Sequence, residues 1–373
     1  MEYVNLGDVA TYINGYAFKP EHRGKKGLPI IRIQDLNGNS HDLAFFDGKY
    51  PEQVEINTGD ILISWSGSLG VYKWNKGKAL LNQHIFKVLF NKIEIDKEYF
   101  CYAIRNSLSS MSQQTHGATM KHITKKDFDN ISIPYPDLIE QKKIANNLNI
   151  VNKLIMFYEK ELILFEQMVK ARFIEMFGDP LLNPNGHLKE KIEKHINLLS
   201  GYPFKSEQYV EKGINICGGL IIMPQKIKWD ECVHWSSVEG FEDYLLNEND
   251  IVMALDRPWI SGGFKIAKVD AEHLPALLIQ RTARIRSIDI NQDYLYYCFI
   301  TGGFDKHSNV TGSLVPHISA KDIRSFEIMI PPVELQNQFA DFIQQVDKSR
   351  EVVKKSLEKT QQLYDSLMQE YFG

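Results

Sequence analysis

The sequence predicts an α+β protein built twice over. Two similar domains of mixed α/β character are each followed by a long helix, and the two helices pair antiparallel as a coiled coil under a pseudo-twofold internal repeat. Three observations predict this. The second half of the chain superposes on the first, each half ends in an uninterrupted heptad run, and the stretches before those runs read as short strands and aromatic-rich helices.

The repeat is clearest near the end of each half. At a shift of 195 residues "THGATMKHITKKDFDNISI" falls on "VTGSLVPHISAKDIRSFEI", so Gly117 meets Gly312, His122 meets His317, and Lys126-Asp127 meets Lys321-Asp322. In the same register Pro136 meets Pro331, Gln141 meets Gln336, and Phe177-Gly178 meets Phe372-Gly373. Upstream the offset drifts: Gln83 pairs with Gln280, Asp60-Ile61 with Asp250-Ile251, and "GYAFK" (15–19) with "GYPFK" (201–205). Two copies of about 180 residues make a tandem duplication, not a solenoid, whose period is shorter. The expected boundaries are 1–137 for the first domain, 138–178 for its helix, 179–332 for the second domain and 333–373 for the second helix.

In the first domain "GLPIIRI", "DILISW", "HIFKVLF" and "ISI" read as strands and "KEYFCYAIRNSLSSM" as a helix; "DIVMAL", "LIQRTARI", "FEIMI" and "QDYLYYCFITGGF" answer them in the second. Thr124 and Ser319 are predicted caps of a short helical turn. Asp60 and Asp250 read as turn residues.

The helices follow. After Leu138 apolar residues recur at alternating steps of four and three: Ile144, Leu148, Val151, Ile155, then Leu162 and Phe165. The second copy gives Phe339, Ile343, Val346, Leu357 and Leu367. A 3.5-residue average over five heptads is a coiled-coil seam, and no glycine or proline breaks either run. Asp137 with Glu140 predicts the N-terminal cap. Antiparallel pairing of the two helices would put the domains at opposite ends of a dumbbell; the competing reading is that each helix packs on its own domain.

The 373 residues are 43% hydrophobic and 24% charged, as in a folded soluble chain, and no apolar run approaches the ~20 residues of a membrane span. The first residues show no basic-then-apolar signal pattern, so the expected location is the cytoplasm. Four cysteines lack CxxC spacing, and no metal site is expected. There is no phosphate-binding P-loop, no H-E-x-x-H and no G-x-S-x-G, so no catalytic residue is assigned. Three recurring loops concentrate glycine with polar donors: the GYxFK loop, the stretch after Asp60 or Asp250, and "QTHGATMKHI/NVTGSLVPHI". That mixture suits reading polynucleotide edges and phosphates, and it is equally ordinary turn chemistry.

At "GYAFK … GLPIIRIQDL … GDILISWSGSLG … LNQHIFKV … HITKKDFDNISIPYPDLIEQKKIANNL", repeated with its trailing helix, the chain resembles the specificity (S) subunit of type I restriction-modification systems. The likeness spans nearly the whole chain and is most specific at "ISIPYPDLIEQKKIA"; the second copy has Leu335-Gln336 in place of the Glu-Gln pair. The resemblance implies two target recognition domains, each reading half of a split, asymmetric DNA site. It implies helices that set the spacer and dock two methyltransferase (M) subunits and, in complexes that restrict, two restriction (R) subunits. S-adenosylmethionine, ATP and Mg would sit on those partners and none on this chain, which would be non-catalytic by itself.

Charge gives little help with affinity. Residues 1–137 hold 16 Lys and Arg against 15 Asp and Glu, and 179–332 hold 16 against 20, so binding must rest on local clusters and on partners. Under the resemblance the candidate DNA contacts of the first domain are Lys19, Lys25, Lys26, Thr119, Lys121 and Lys125. Those of the second are Lys205, Arg257, Lys265, Arg281, Ser313 and Lys321. His122 and His317 are either DNA contacts or packed caps; Gln83 and Gln280 either read adenine or face inward from a strand; Trp65 either lines the cleft or belongs to the core. Two other functions compete: a fused restriction or methylation enzyme with an unrecognised motif, and a protein-binding structural adaptor.

Overall fold

The structure is a computed structural model that describes residues 2–38, 42–114, 124–308 and 316–373. The chain divides into two compact units, 1–159 with 355–373, and 160–354. Each unit therefore holds one globular domain, part of the helix that follows it, and part of the other half's helix.

The two domains share one plan. In the first, a four-stranded antiparallel sheet runs Thr11–Asn14, Ile85–Leu89, Ile61–Ser64, Gly70–Lys73. Beside it a mixed sheet runs Ala44–Phe46, Leu28–Ile31, Ala79–Leu81, Glu55–Ile56, with Ile30 parallel to Leu80. In the second, Ile196–Ser200, Thr282–Ser287, Ile251–Ala254 and Ile266–Lys268 form the antiparallel sheet. Val233–Trp235, Ile214–Cys217 and Ala276–Leu278 form the mixed one, with Ile216 parallel to Leu277. Ile61–Ser64 and Ile251–Ala254 are buried at all four positions, which is why Ile61 to Ile63 and Ile251 to Ala254 read as unbroken apolar runs instead of alternating ones.

The aromatic helices repeat to the hydrogen bond. Asp96 accepts the N–H groups of Glu98 and Tyr99 to cap helix Lys97–Gln114, and Asn291 accepts those of Asp293 and Tyr294 to cap helix Gln292–Thr301. Tyr99 and Tyr294, both fully buried, each donate a hydroxyl at 2.8 Å to a strand carbonyl, of Pro134 and Met329. Thr124 and Ser319 cap the short helices as the sequence predicts, accepting the N–H of Asp127 and of Asp322 at 3.2 Å.

Both long helices are 40 residues, Leu138–Phe177 and Val333–Phe372. Asp137 caps the first through the N–H of Glu140, while the Glu140 carboxylate turns outward to Lys143. Gly178 ends it in the left-handed conformation (φ 80°), its N–H on the Ile174 carbonyl; a Cβ there would lie 2.6 Å from Pro184.

The heptad positions are buried or half-buried, and much of what covers them is a domain core. In the first unit Ile144 and Leu148, from the start of the first long helix, join Tyr99, Phe100 and Phe128, with Tyr364, Leu367 and Met368 from the end of the second. In the second unit the end of the first long helix supplies Val169, Phe173 and Phe177, and the start of the second supplies Phe339, Ile343 and Val346. Phe173 stacks on Tyr294 at 5.6 Å and 13°, and Phe177 meets Phe339 edge-on at 5.4 Å. Within either unit the beginning of one long helix thus lies with the end of the other, the antiparallel arrangement the heptads predict. Val151 and Ile155 are buried; Leu162, Phe165 and Leu357 are half-buried. Among the described residues no helix is long and apolar enough to cross a membrane.

Candidate nucleic-acid interface

In both units the GY motif forms a backbone clasp. Tyr202 donates its N–H to the Leu278 carbonyl (3.0 Å), Gln280 donates to the Tyr202 carbonyl (2.8 Å), and Gly201 donates to that of Thr282 (3.1 Å). Tyr16, Gln83 and Gly15 make the same bonds to Leu81 (2.8 Å), Tyr16 (3.0 Å) and Ile85 (3.0 Å). A Cβ on Gly15 or Gly201 would stand 2.0 Å from a carbonyl oxygen, of Asn82 or Ile279, so the close approach admits only glycine. The GYxFK loop is therefore joined at one edge to the turn that carries Gln83 or Gln280.

The residue after each clasped glutamine takes a left-handed backbone: His84 at φ 70° and Arg281 at φ 62°. Its carbonyl accepts the N–H of Trp65 (3.2 Å) or of Leu255 (2.9 Å), at the end of the central strand. Two residues past those, Gly67 (φ 68°) and Arg257 (φ 45°) are left-handed as well. One frame thus carries buried Ser66, exposed Gly67 and half-buried His84 in the first unit, and half-buried Asp256 with exposed Arg257 and Arg281 in the second.

In the second unit this edge borders a cavity of about 560 Å³. Gly218 to Ile221 and Cys232 line it together with Asp256, Arg257, Lys265, Gln280 and Arg281. Asp256 is the hub. One carboxylate oxygen is 2.6 Å from His317 Nδ1, and the other is 3.3 Å from Arg281 Nη1. Backbone pairing fixes the histidine there: Arg257 donates to Pro316 (2.9 Å) and Ile318 to Leu255 (2.8 Å). Lys265 is buried with its ammonium on the Gly219 carbonyl, and burial together with the Arg257 charge lowers its pKa.

The structure gathers Arg257, Lys265, Gln280, Arg281 and His317 around one edge. Lys265 forms part of its wall, not its outer surface. Gln83 and Gln280 are exposed at their turns, not directed inward from a strand. Lys205 and Lys321 are exposed away from this wall, on the GYPFK loop and on helix Ala320–Ser325. In the first unit Lys25 and Lys26 are exposed, Lys19 stands 3.9 Å from Glu21, and Lys125 pairs with Asp129. Trp65 is half-buried, edge-on to His84 at 4.9 Å and stacked on Phe86 at 5.6 Å, with its indole N–H on Asn14. Thr119, Lys121, His122 and Ser313 lie outside the described residues. Asp256 was missed in the sequence; its one signal was the Asp-Arg-Pro that follows a strand.

The first long helix also carries a second apolar row. Ile150, Leu154 and Phe157 in the first unit and Ile163, Leu164 and Met168 in the second are 41–60% exposed.

A family model for the type I restriction modification DNA specificity domain matches residues 1–164 and again 201–362. The chain is 26% identical over 389 residues to the type I restriction enzyme MjaVIII specificity subunit of Methanocaldococcus jannaschii, covering 98% of this chain and 91% of that one. It is 32% identical over 184 residues to the EcoAI specificity subunit of Escherichia coli, covering 46% of this chain and 31% of the relative. Among solved structures, the type I restriction-modification S subunit from M. genitalium superposes with a TM-score of 0.58 at 14% identity, covering 100% of this chain and 96% of the other. That likeness is one of fold.

Proposed function

The chain belongs to the type I restriction-modification DNA specificity family, and from that premise we propose that it is the sequence-reading subunit of such a complex. Each unit reads one half of a split DNA site, and the half-sites differ. One observation carries this: the two units share the clasp, the caps and the buried tyrosines, yet differ at matching positions of the shared turns, Ser66/Asp256, Gly67/Arg257 and His84/Arg281, of which Gly67, Arg257 and Arg281 are exposed. A common frame with exchanged side chains supports a non-palindromic target.

The exposed apolar row on the first long helix supports docking of partner proteins there, since such rows mark interaction sites. On this reading the partners are two methyltransferase subunits and, where restriction occurs, two restriction subunits. The transferable methyl group of S-adenosylmethionine, with ATP and magnesium, belongs to them. This chain contributes no catalytic group, works in the cytoplasm and draws affinity from local clusters and from its partners, because neither domain is strongly basic. Reconstitution tests it. The chain with its methyltransferase subunits should methylate duplexes carrying the split site, and either component alone should not. Methylation or cleavage by this chain alone would refute the reading.

A further inference from the structure

We propose that Arg281 is the specificity-determining residue of the second unit, reading a guanine in the half-site that unit contacts, with Asp256 as the positioning residue that aims it. The inference rests on the DNA-recognition reading above and adds which side chain discriminates which base.

Backbone conformation is the first reason. Residues with a Cβ seldom adopt positive φ, and those that do concentrate at functional sites. Arg281 (φ 62°) is held so from both sides, because the preceding Gln280 N–H is bonded to Tyr202 and its own carbonyl accepts the Leu255 N–H. That turn projects the side chain off the domain, where it is 74% exposed. The frame fixes the Cα, and solvent receives the guanidinium.

Asp256 is the second reason. A free arginine side chain has many rotamers, and pairing it with a carboxylate biases it toward one of them before DNA arrives. The Asp256 carboxylate is itself fixed by His317 at 2.6 Å and meets Arg281 through Nη1 at 3.3 Å. Pairing through one terminal nitrogen leaves an edge of the guanidinium for a second pair of acceptors. Guanine offers O6 and N7 at that spacing in the major groove. Lys265 is buried on Gly219 and cannot play this part. The first unit places His84 at the same turn with its ring against Trp65, a different donor set for a different base.

The test is the methylated motif written by the whole complex in a host lacking adenine methylation. Wild type, Arg281→Gln, Arg281→Lys and Asp256→Asn are compared, with copurification of the methyltransferase subunits confirming assembly. Expected is a single position of the second half-site, guanine in wild type, at which Arg281→Gln lowers base preference at least about fivefold. Arg281→Lys and Asp256→Asn relax the same position to a smaller degree, and the first half-site stays unchanged in all three. An unchanged motif in assembled variants, an even loss of methylation across all sites, or relaxation at a base other than guanine would overturn the proposal. Absence of any two-part mark with the wild-type complex would instead remove the recognition reading on which it rests.

Discussion

Gln336 does in the second unit what Gln141 does in the first. Its side-chain oxygen accepts the N–H of Asn291 at 2.8 Å, as that of Gln141 accepts the N–H of Asp96 at 2.9 Å. Its amide donates to the Pro331 carbonyl at 2.8 Å, as that of Gln141 donates to Pro136 at 2.8 Å. Both glutamines are fully buried. In each unit one amide ties the start of a long helix to the cap of the aromatic helix and to the preceding proline turn.

Replacing either glutamine by leucine therefore leaves a part-buried N–H and, at Pro136 or Pro331, a half-buried or buried carbonyl without these partners. Gln141→Leu and Gln336→Leu should each lower stability by about 1–3 kcal/mol in urea titrations followed by circular dichroism. A change within about 0.5 kcal/mol, the range of surface substitutions, would show that the tie is dispensable.

The two turn aspartates should differ in weight. Each accepts the N–H three residues before it, of Asn57 at 2.8 Å and of Asn247 at 2.7 Å. Asp250, whose side chain is 3% exposed, is also gripped by both Nε and Nη2 of Arg286, whereas Asp60, 25% exposed, meets Lys87 at 3.3 Å. Asp250→Asn should cost about 3 kcal/mol, as when one partner of a buried pair is removed. Asp60→Asn should cost about 1 kcal/mol or less. The reverse order in denaturant midpoints would contradict this.

Acid should expose the cap of helix Ala320–Ser325. Burial alone would raise the Asp322 carboxyl, but the Ser319 hydroxyl and N–H, with His307 and His317 nearby, hold it below the ordinary range. A carboxyl depressed in the folded state adds stability above its unfolded pKa of about 3.9, and that contribution is lost as pH falls through the folded value. Below about pH 4 the wild type should lose more stability than Asp322→Asn, which has no carboxylate to protonate. Parallel midpoint-against-pH curves would refute it.

The exposed apolar row should serve association and not folding. Phe157→Ser and Leu164→Ser should leave thermal stability within about 0.5 kcal/mol of wild type and sharply reduce recovery of the methyltransferase subunits. Full recovery of partners by the double variant would place docking elsewhere.

Local features were legible in the sequence and long-range ones were not. The caps at Thr124 and Ser319 and the heptads are set by neighbours a few residues apart, and each formed as read. The sequence left open whether the heptads bind the other helix or a domain. The answer is both, because Phe173 meets Phe339 of the other helix edge-on and also stacks on Tyr294 of the domain, more than a hundred positions away. The edge around Asp256 joins residues near 202, 256, 280 and 317 through backbone bonds that carry no pattern in sequence, so Gln83 and Gln280 could not be placed on turns beforehand.

Single-molecule methylome sequencing of the host with and without this gene decides whether the chain reads a split DNA site. The prediction is one adenine mark in a two-part, non-palindromic motif with an unspecified spacer, present with the gene, absent without it and restored by complementation. An unchanged methylome on deletion, with the methyltransferase subunits present and active, would contradict it.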